Sequence, residues 1–257
     1  MRHALIAMRA IVLREALRFV HQRERFVAAL VRPLVWLLVF AAGFRAALGL
    51  SITPPYQTYI VPGLCGMILL FNGMQSSLSL VCDREMGSMR LLLTAPLSRA
   101  WLLFSKLLGS TIISILQVYA FLLVAWLFDI TLPPLGYLAV LPALMLAGLM
   151  LGALGLALSS FIKQLENFAG VMNFVIFPMF FLSSALYPLW KMAESSELLH
   201  DICAANPFTH AVELIRFALY VEWNGMAFLW TALATAAFMA LAVWGYDPAR
   251  GMMTRKG

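Results

Sequence analysis

The sequence predicts an all-α membrane protein with about six transmembrane helices. Hydrophobic residues make up 63% of its 257 residues and charged residues only 12%, and the mean hydropathy is +0.89. This is far more apolar surface than a soluble domain of the same length can bury. Long apolar runs alternate with short connectors, which leaves no room for a sizeable domain outside the bilayer. We therefore expect a single transmembrane domain over residues 1–257.

Each long apolar run is near the twenty residues that a helix needs to cross hydrocarbon. Aromatic residues that prefer the headgroup level, such as Trp101, Trp126, Tyr187 and Trp244, stand near the ends of the runs. The spans are predicted at residues 30–48, 60–81, 102–128, 135–161, 168–187 and 228–246.

The fourth predicted span carries three glycines at helical spacing, Gly148, Gly152 and Gly155. Small residues on one side of a membrane helix let a neighbouring helix approach closely. These glycines therefore predict tight packing within the bundle.

The charge pattern predicts the topology. Lysine and arginine number 18 and acidic residues 12, a formal net charge of +6. Acidic residues dominate the opposite connectors, and by the positive-inside rule both termini are cytoplasmic. The basic residues are dispersed along membrane boundaries, which disfavours nucleic-acid binding. They occupy alternate connectors: the N-terminal stretch (Arg2, Arg9, Arg14, Arg18, Arg23, Arg25, Arg32), residues 84–106, Lys163 and the tail (Arg250, Arg255, Lys256).

Residues 1–28 predict a helix lying in the cytoplasmic interface of the membrane. The alternative is a charged topology leader without fixed structure, which Arg9 favours because it falls on the apolar face. The apolar face holds Leu5, Met8, Val12, Ala16, Phe19 and Val20, and the polar face holds Arg14, Glu15, Arg18, Gln22 and Arg25.

The cytoplasmic connector at 83–100 mixes charge with a short apolar run. A helix there would present Met89, Leu92 and Leu93 beside Arg90 and would end before Pro96. That shape suits docking into a groove of another protein, whereas the alternative is a solvated loop.

The outer connector at 188–225 is long and unusually apolar. Asn206 followed by Pro207 predicts the start of a helix that runs to about Tyr220, with a contact between Glu213 and Arg216. This segment is expected to dip partly into the outer leaflet as a re-entrant helix. The alternative is an amphipathic loop that only joins two spans.

Two motifs together resemble the ABC transporter type-2 permease family. One is the run Asp83-Arg84-Glu85-x-Gly87-Ser88-x-Arg90-x-Leu92-x-Thr94-x-Pro96-Leu97 with Lys106 entering the next span, and the other is Asn206-Pro207-Phe208-Thr209. The order of helices also matches, so the resemblance covers nearly the whole chain. Within the family, the chain looks most similar to exporters of nodulation lipo-oligosaccharides and surface polysaccharides.

The resemblance implies a homodimer of permeases paired with two copies of a separate ATP-binding subunit in the inner (cytoplasmic) membrane. No cofactor is expected on this chain, and ATP and Mg would bind the partner ATPase. Export is the usual mode of the family. The substrate route would lie at the dimer interface, lined by the first, second and fifth spans. The residues implied to contact the ATPase are Arg84, Glu85, Gly87, Ser88, Arg90 and Pro96.

The sequence is consistent with a separate ATP-binding subunit, because it has no Gly-x-x-x-x-Gly-Lys-Ser/Thr phosphate-binding loop. A gradient-driven carrier usually has ionisable groups within its spans, but the interior polar residues here are chiefly amides such as Gln117 and Asn173. The candidates for lining the substrate path are Trp36, Phe40, Phe71, Asn72, Gln75, Phe174 and Phe177. The alternative is that these side chains only pack between helices.

Two rival functions remain open. A lipid-modifying membrane enzyme would have to use His200, Asp201, His210 and Glu213, although no His-Glu-x-x-His metal motif is present. A structural membrane anchor is the other rival. The sequence does not identify the cargo of a transporter, since an apolar interior with a few amides suits lipid-linked sugars, drug-like molecules or haem-type compounds.

Overall fold

The computed structural model describes residues 2–21, 23–40, 55–85, 98–162 and 164–245, and in these ranges the chain forms helices joined by short turns, with no strand. Helix α2 continues directly into a short π-helix, Trp36–Phe40. The helices are α1 (Arg2–His21), α2 (Arg23–Val35), α3 (Tyr56–Glu85), α4 (Arg99–Leu127), α5 (Gly136–Phe161), α6 (Leu165–Phe181), α7 (Leu189–Ser195), α8 (Glu197–Ala205), α9 (Pro207–Leu219) and α10 (Gly225–Gly245).

Four helices in the described part of the chain are long and apolar enough to cross a membrane. They correspond to the second, third, fourth and sixth predicted spans, and their apolar stretches are Tyr56–Cys82, Ala100–Leu127, Gly136–Phe161 and Gly225–Gly245. The first and fifth predicted spans match shorter apolar helices, Leu30–Val39 and Leu165–Phe181. The all-α membrane class is confirmed. The count of six stays a prediction, because residues 41–48 of the first span lie outside the described residues.

Helix α5 is the central packing element, since α3, α4, α9 and α10 all contact it. The glycines of the fourth span bring the backbones together: a Cβ on Gly73 of α3 would lie 2.9 Å from the backbone nitrogen of Gly152, and one on Gly155 would lie 3.0 Å from the carbonyl oxygen of Gly73. The predicted packing role of these glycines is confirmed.

Polar side chains inside the bundle bond to nearby helices or to their own backbone. Ser77 Oγ donates to the carbonyl of Gly73 at 3.0 Å, and Ser114 Oγ donates to that of Ser110 at 2.8 Å. The amide of Asn72 donates to Gln117 and so joins α3 to α4. Such bonds satisfy groups that have no water partner in an apolar interior.

Helix α1 packs along α4 and corrects one sequence expectation. Glu15 was assigned to the polar face, but it is buried, and its Cβ lies 3.5 Å from the position of a Cβ on Gly109. Glu15 thus packs against α4 near Gly109, and Arg14 lies 3.5 Å from its carboxylate. An exposed apolar stripe of Ile6, Leu13 and Leu17 lies elsewhere on α1. A helix is present over Arg2–His21, and its location in the membrane interface stays a prediction.

Gly73→Ala tests the close contact between α3 and α5. The added methyl group would collide with the backbone of Gly152, so we expect a loss of about 1–3 kcal/mol in the free energy of unfolding, measured as a lower unfolding temperature in detergent. Gly109→Ala is the matched control: its Cβ would meet Glu15 at 3.5 Å, an ordinary contact, and alanine favours a helix over glycine by up to about 1 kcal/mol. Equal effects of the two changes would contradict the packing account.

Candidate functional site

Helices α2 and α6 both present apolar side chains that no other described element covers. Exposed residues of α2 and its π-helix include Val31, Val35 and Leu38. On α6, which is an apolar helix, Phe174 is 78% exposed and Phe177 is 51% exposed. These exposed faces belong to the first and fifth predicted spans.

Aromatic contacts connect these two helices. The ring centroid of Trp36 in the π-helix lies 5.5 Å from that of Phe180 and 5.8 Å from that of Phe181, both in edge-to-face geometry. Phe177 stacks on Phe181 at 6.3 Å. Edge-to-face and offset-stacked rings are favourable arrangements for aromatic pairs. The end of α2 and the last turns of α6 therefore form one aromatic surface.

The candidate path residues fall into two groups. Trp36, Phe174 and Phe177 belong to the aromatic surface or its continuation along α6. Phe71 and Gln75 are half-buried on α3, whereas Asn72 is buried and bonded to Gln117 on the side of α4. Phe40 ends the π-helix, and its side chain lies outside the described residues. The path itself stays a prediction.

Arg32 is a residue whose position the charge pattern did not reveal. Its guanidinium carbon lies 3.7 Å from the centroid of the Phe71 ring, and its side chain is exposed on α2. Its charge was assigned to the cytoplasmic boundary along with the other N-terminal basic residues. The sequence feature that could have indicated this contact is the place of Arg32 inside the first predicted span, one turn before Trp36.

The predicted ATPase-coupling residues lie at the end of α3 and beyond it. Arg84 and Glu85 are the last two residues of that helix, while Gly87, Ser88, Arg90 and Pro96 lie outside the described residues. The chain resumes at Ser98, whose hydroxyl accepts a hydrogen bond from the backbone nitrogen of Trp101 at 3.3 Å and caps α4. The coupling role of this connector stays a prediction.

Asn206 fastens the start of α9 to the end of α6. Its Oδ1 accepts from the backbone nitrogen of Phe208 at 2.9 Å, which caps the helix. Its Nδ2 donates to the carbonyls of Met179 at 2.8 Å and Leu182 at 2.6 Å. The last carbonyls of a helix have no partner within it, so one side chain satisfies groups at both helix ends. The predicted helix start is confirmed.

Thr209 and Arg216 continue this attachment. Thr209 Oγ1 donates to the carbonyl of Cys203 at 2.6 Å and accepts from the backbone nitrogen of Ser184 at 3.3 Å. The guanidinium of Arg216 bonds to Glu213 at 2.5 Å and to the carbonyl of Ser184 at 2.8 Å. It also lies 4.0 Å from the ring centroid of Tyr59 on α3. The predicted contact between Glu213 and Arg216 is confirmed, and α9 is joined to α3 and to the turn after α6.

The residues of the rival enzyme site do not converge. His200 Nδ1 lies 3.2 Å from Asp201 Oδ1 on α8, whereas His210 on α9 stacks on Trp230 with ring centroids 5.7 Å apart. Burial lowers the pKa of His210, and Glu213 is engaged by Arg216. Among the described residues, no three His, Cys, Asp or Glu side chains are grouped to hold a metal ion.

Asn206→Ala tests the attachment of α9. It removes a helix cap and both donors to the carbonyls of Met179 and Leu182, so we expect a loss of about 2–4 kcal/mol in the free energy of unfolding. Thermal unfolding in detergent measures this loss. Asn206→Ser keeps a cap acceptor but cannot reach both carbonyls, and should fall between wild type and alanine.

Asn224 provides the matched control, because its side chain caps α10 through the backbone nitrogen of Ala227 at 3.0 Å. Asn224→Ala should cost only about 1 kcal/mol. If it destabilises the protein as much as Asn206→Ala, the bonds to Met179 and Leu182 contribute nothing.

Comparisons with known proteins agree with these features. The family described as ABC-2 type transporter matches residues 6–220. Transport permease ycf38 of Porphyra purpurea is 31% identical over 221 residues, which cover 84% of this chain and 75% of that protein. The ycf38 permease of Pyropia yezoensis is 32% identical over 230 residues, covering 86% and 77%. The multidrug ABC transporter permease YbhR of Escherichia coli K12 is 28% identical over 198 residues, covering 73% and 52%. This chain therefore belongs to the ABC-2 type transporter family and is a membrane permease.

Proposed function

We propose that this chain is the transmembrane permease subunit of an ATP-driven ABC exporter in the inner (cytoplasmic) membrane. Membership of the ABC-2 type family is the observation that carries the proposal. The cargo would be lipid-like, a glycoconjugate or drug-like. The chain would cross the membrane six times with both termini in the cytoplasm, as its basic connectors predict.

A separate ATP-binding subunit would supply the energy. The chain has no phosphate-binding loop of its own, so ATP and Mg would bind the partner. Residues 83–100 would dock on that partner, starting where α3 ends at Glu85. Closure of the ATPase pair would then push on the permease pair and change the side of the membrane to which the route opens.

A second copy of this chain would cover the exposed faces of α2 and α6. Phe174 and Phe177 on α6 and Arg32 on α2 are exposed. Phenylalanine tolerates lipid, but an arginine facing hydrocarbon costs several kcal/mol. Pairing of these faces would place Arg32 at a protein interface and put the substrate route between the two copies. The exposure of α2 and α6 is what supports the predicted contributions of the first and fifth spans.

The relatives give partial guidance on the cargo. YbhR is named as a multidrug ABC transporter permease, which is consistent with a drug-like cargo. The resemblance to nodulation lipo-oligosaccharide and polysaccharide exporters stays a prediction. A lipid-modifying enzyme or a structural anchor is the alternative, but the separation of His200 from His210 on different helices gives the enzyme little support.

Coupling is tested by expressing the chain with the ATP-binding subunit encoded beside it and purifying both in nanodiscs. We expect a stable complex whose ATP hydrolysis changes several-fold with Glu85→Ala or Arg90→Ala, because these residues would transmit the movement of the ATPase. Glu222→Ala is the control, since this exposed residue lies beyond α9 and should leave hydrolysis unchanged. If no such subunit associates with the chain, the ABC exporter proposal is wrong and the enzyme and anchor alternatives return.

A further inference from the structure

We propose that Arg32 binds the anionic group of the cargo, so that the transported molecule is an anionic amphiphile. This inference rests on the proposed function, because it assigns the cargo of the same route. It follows from three features of Arg32: its position beside the apolar part of α3, the lack of an acidic partner in the described chain, and the aromatic and amide side chains on the neighbouring turns of α2 and α3.

The position of Arg32 follows from the ring beneath it. Its guanidinium lies 3.7 Å from the centroid of Phe71, and Phe71 is two residues past the middle of the apolar stretch Tyr56–Cys82. The Cys82 end of this stretch is therefore about 16 Å away along the helix. Arg32 thus carries its charge beside the central, apolar part of α3 and away from the polar end of that helix.

No described carboxylate neutralises this charge. The ion pairs within the described residues join Arg14 to Glu15, His200 to Asp201, and Arg216 to Glu213. The comparison with Arg216 is informative, because that arginine also lies over an aromatic ring but is bonded to a carboxylate and a carbonyl. An ionised residue inside a membrane protein is usually paired or lines a route for a charged species.

The surroundings of Arg32 suit an amphiphile. A guanidinium presents a planar fork of donors that matches a phosphate or carboxylate. Trp36, one turn along α2, begins the aromatic surface that continues through Phe181 to Phe177, and these rings would contact an apolar tail. Gln75, one turn beyond Phe71 and only half-buried, offers an amide on the same side of α3 as Phe71.

A direct binding experiment tests the assignment. The permease alone, in phosphatidylcholine nanodiscs, is titrated with radiolabelled dodecyl phosphate, with dodecyltrimethylammonium, which has the same tail and the opposite charge, and with inorganic phosphate. We expect saturable binding of dodecyl phosphate, weak binding of the cation and none of inorganic phosphate, which lacks a tail.

Substitutions locate the site. Arg32→Gln should weaken dodecyl phosphate binding roughly tenfold or more, because a charge-assisted bond is lost, while Arg32→Lys should weaken it less. Arg14→Gln removes an exposed cation from α1 and should have no effect. The Lys variant keeps the test decisive if the Gln variant does not fold, since it retains the charge but not the planar fork.

The inference would be overturned by unchanged dodecyl phosphate binding in Arg32→Gln, or by equal binding of the anionic and cationic amphiphiles by the wild type. Dependence on Arg14 rather than Arg32 would also overturn it and would indicate adsorption to the basic N-terminal helix. The experiment needs no ATPase, so failure of the exporter proposal and failure of this inference are distinguishable.

Discussion

Polar groups that are removed from water must find partners within the protein, and this constraint shapes the whole molecule. An unsatisfied backbone group in an apolar medium costs several kcal/mol, so the described spans are helices whose own backbones provide the bonds. Where two helices end close together, Asn206 supplies the missing partners for the carbonyls of Met179 and Leu182. Within the helices, Ser77 and Ser114 bond to carbonyls one turn earlier.

The glycine contacts decide which helix faces remain available. Gly73, Gly152 and Gly155 let α3 lie directly against α5, so α3 is the most enclosed of the long apolar helices. Helices α2 and α6 are then left on the outside of the bundle, joined by Trp36, Phe180 and Phe181. Arg32 lies on that outer surface, where contact with hydrocarbon would be unfavourable for its charge.

The elements that were predictable from the sequence are those with a local cause. Helix length follows from apolar run length, the start of α9 follows from Asn206 and Pro207, and the close approach of α5 follows from the spacing of its glycines. The family motifs identified the permease class. Of the motif that begins at Asp83, the structure places only the residues up to Glu85, at the end of α3, because the described residues resume at Ser98.

The features that escaped prediction depend on neighbours distant in sequence. A helical wheel puts Glu15 on the polar face, but it is buried because α1 packs against α4 near Gly109. Charge counting groups Arg32 with the basic residues of the membrane boundary and does not show that its guanidinium lies over Phe71 of α3. The bond from Asn72 to Gln117 joins two helices and has no local signal in the sequence, and the role of Asn72 in the substrate path stays a prediction. Periodicity identifies a face without saying which helix covers it.

The central claim is that a second copy of this chain covers α2 and α6, and disulfide cross-linking in native membranes tests it most directly. In a chain whose native cysteines are replaced, Phe174→Cys on α6 should form a disulfide with the second copy. Leu233→Cys on α10, which is also exposed (52%), should remain monomeric because that face would contact lipid. Cross-linking at Leu233 in place of Phe174 would contradict the claim, since the copies would then meet through α10 and leave Arg32 facing lipid.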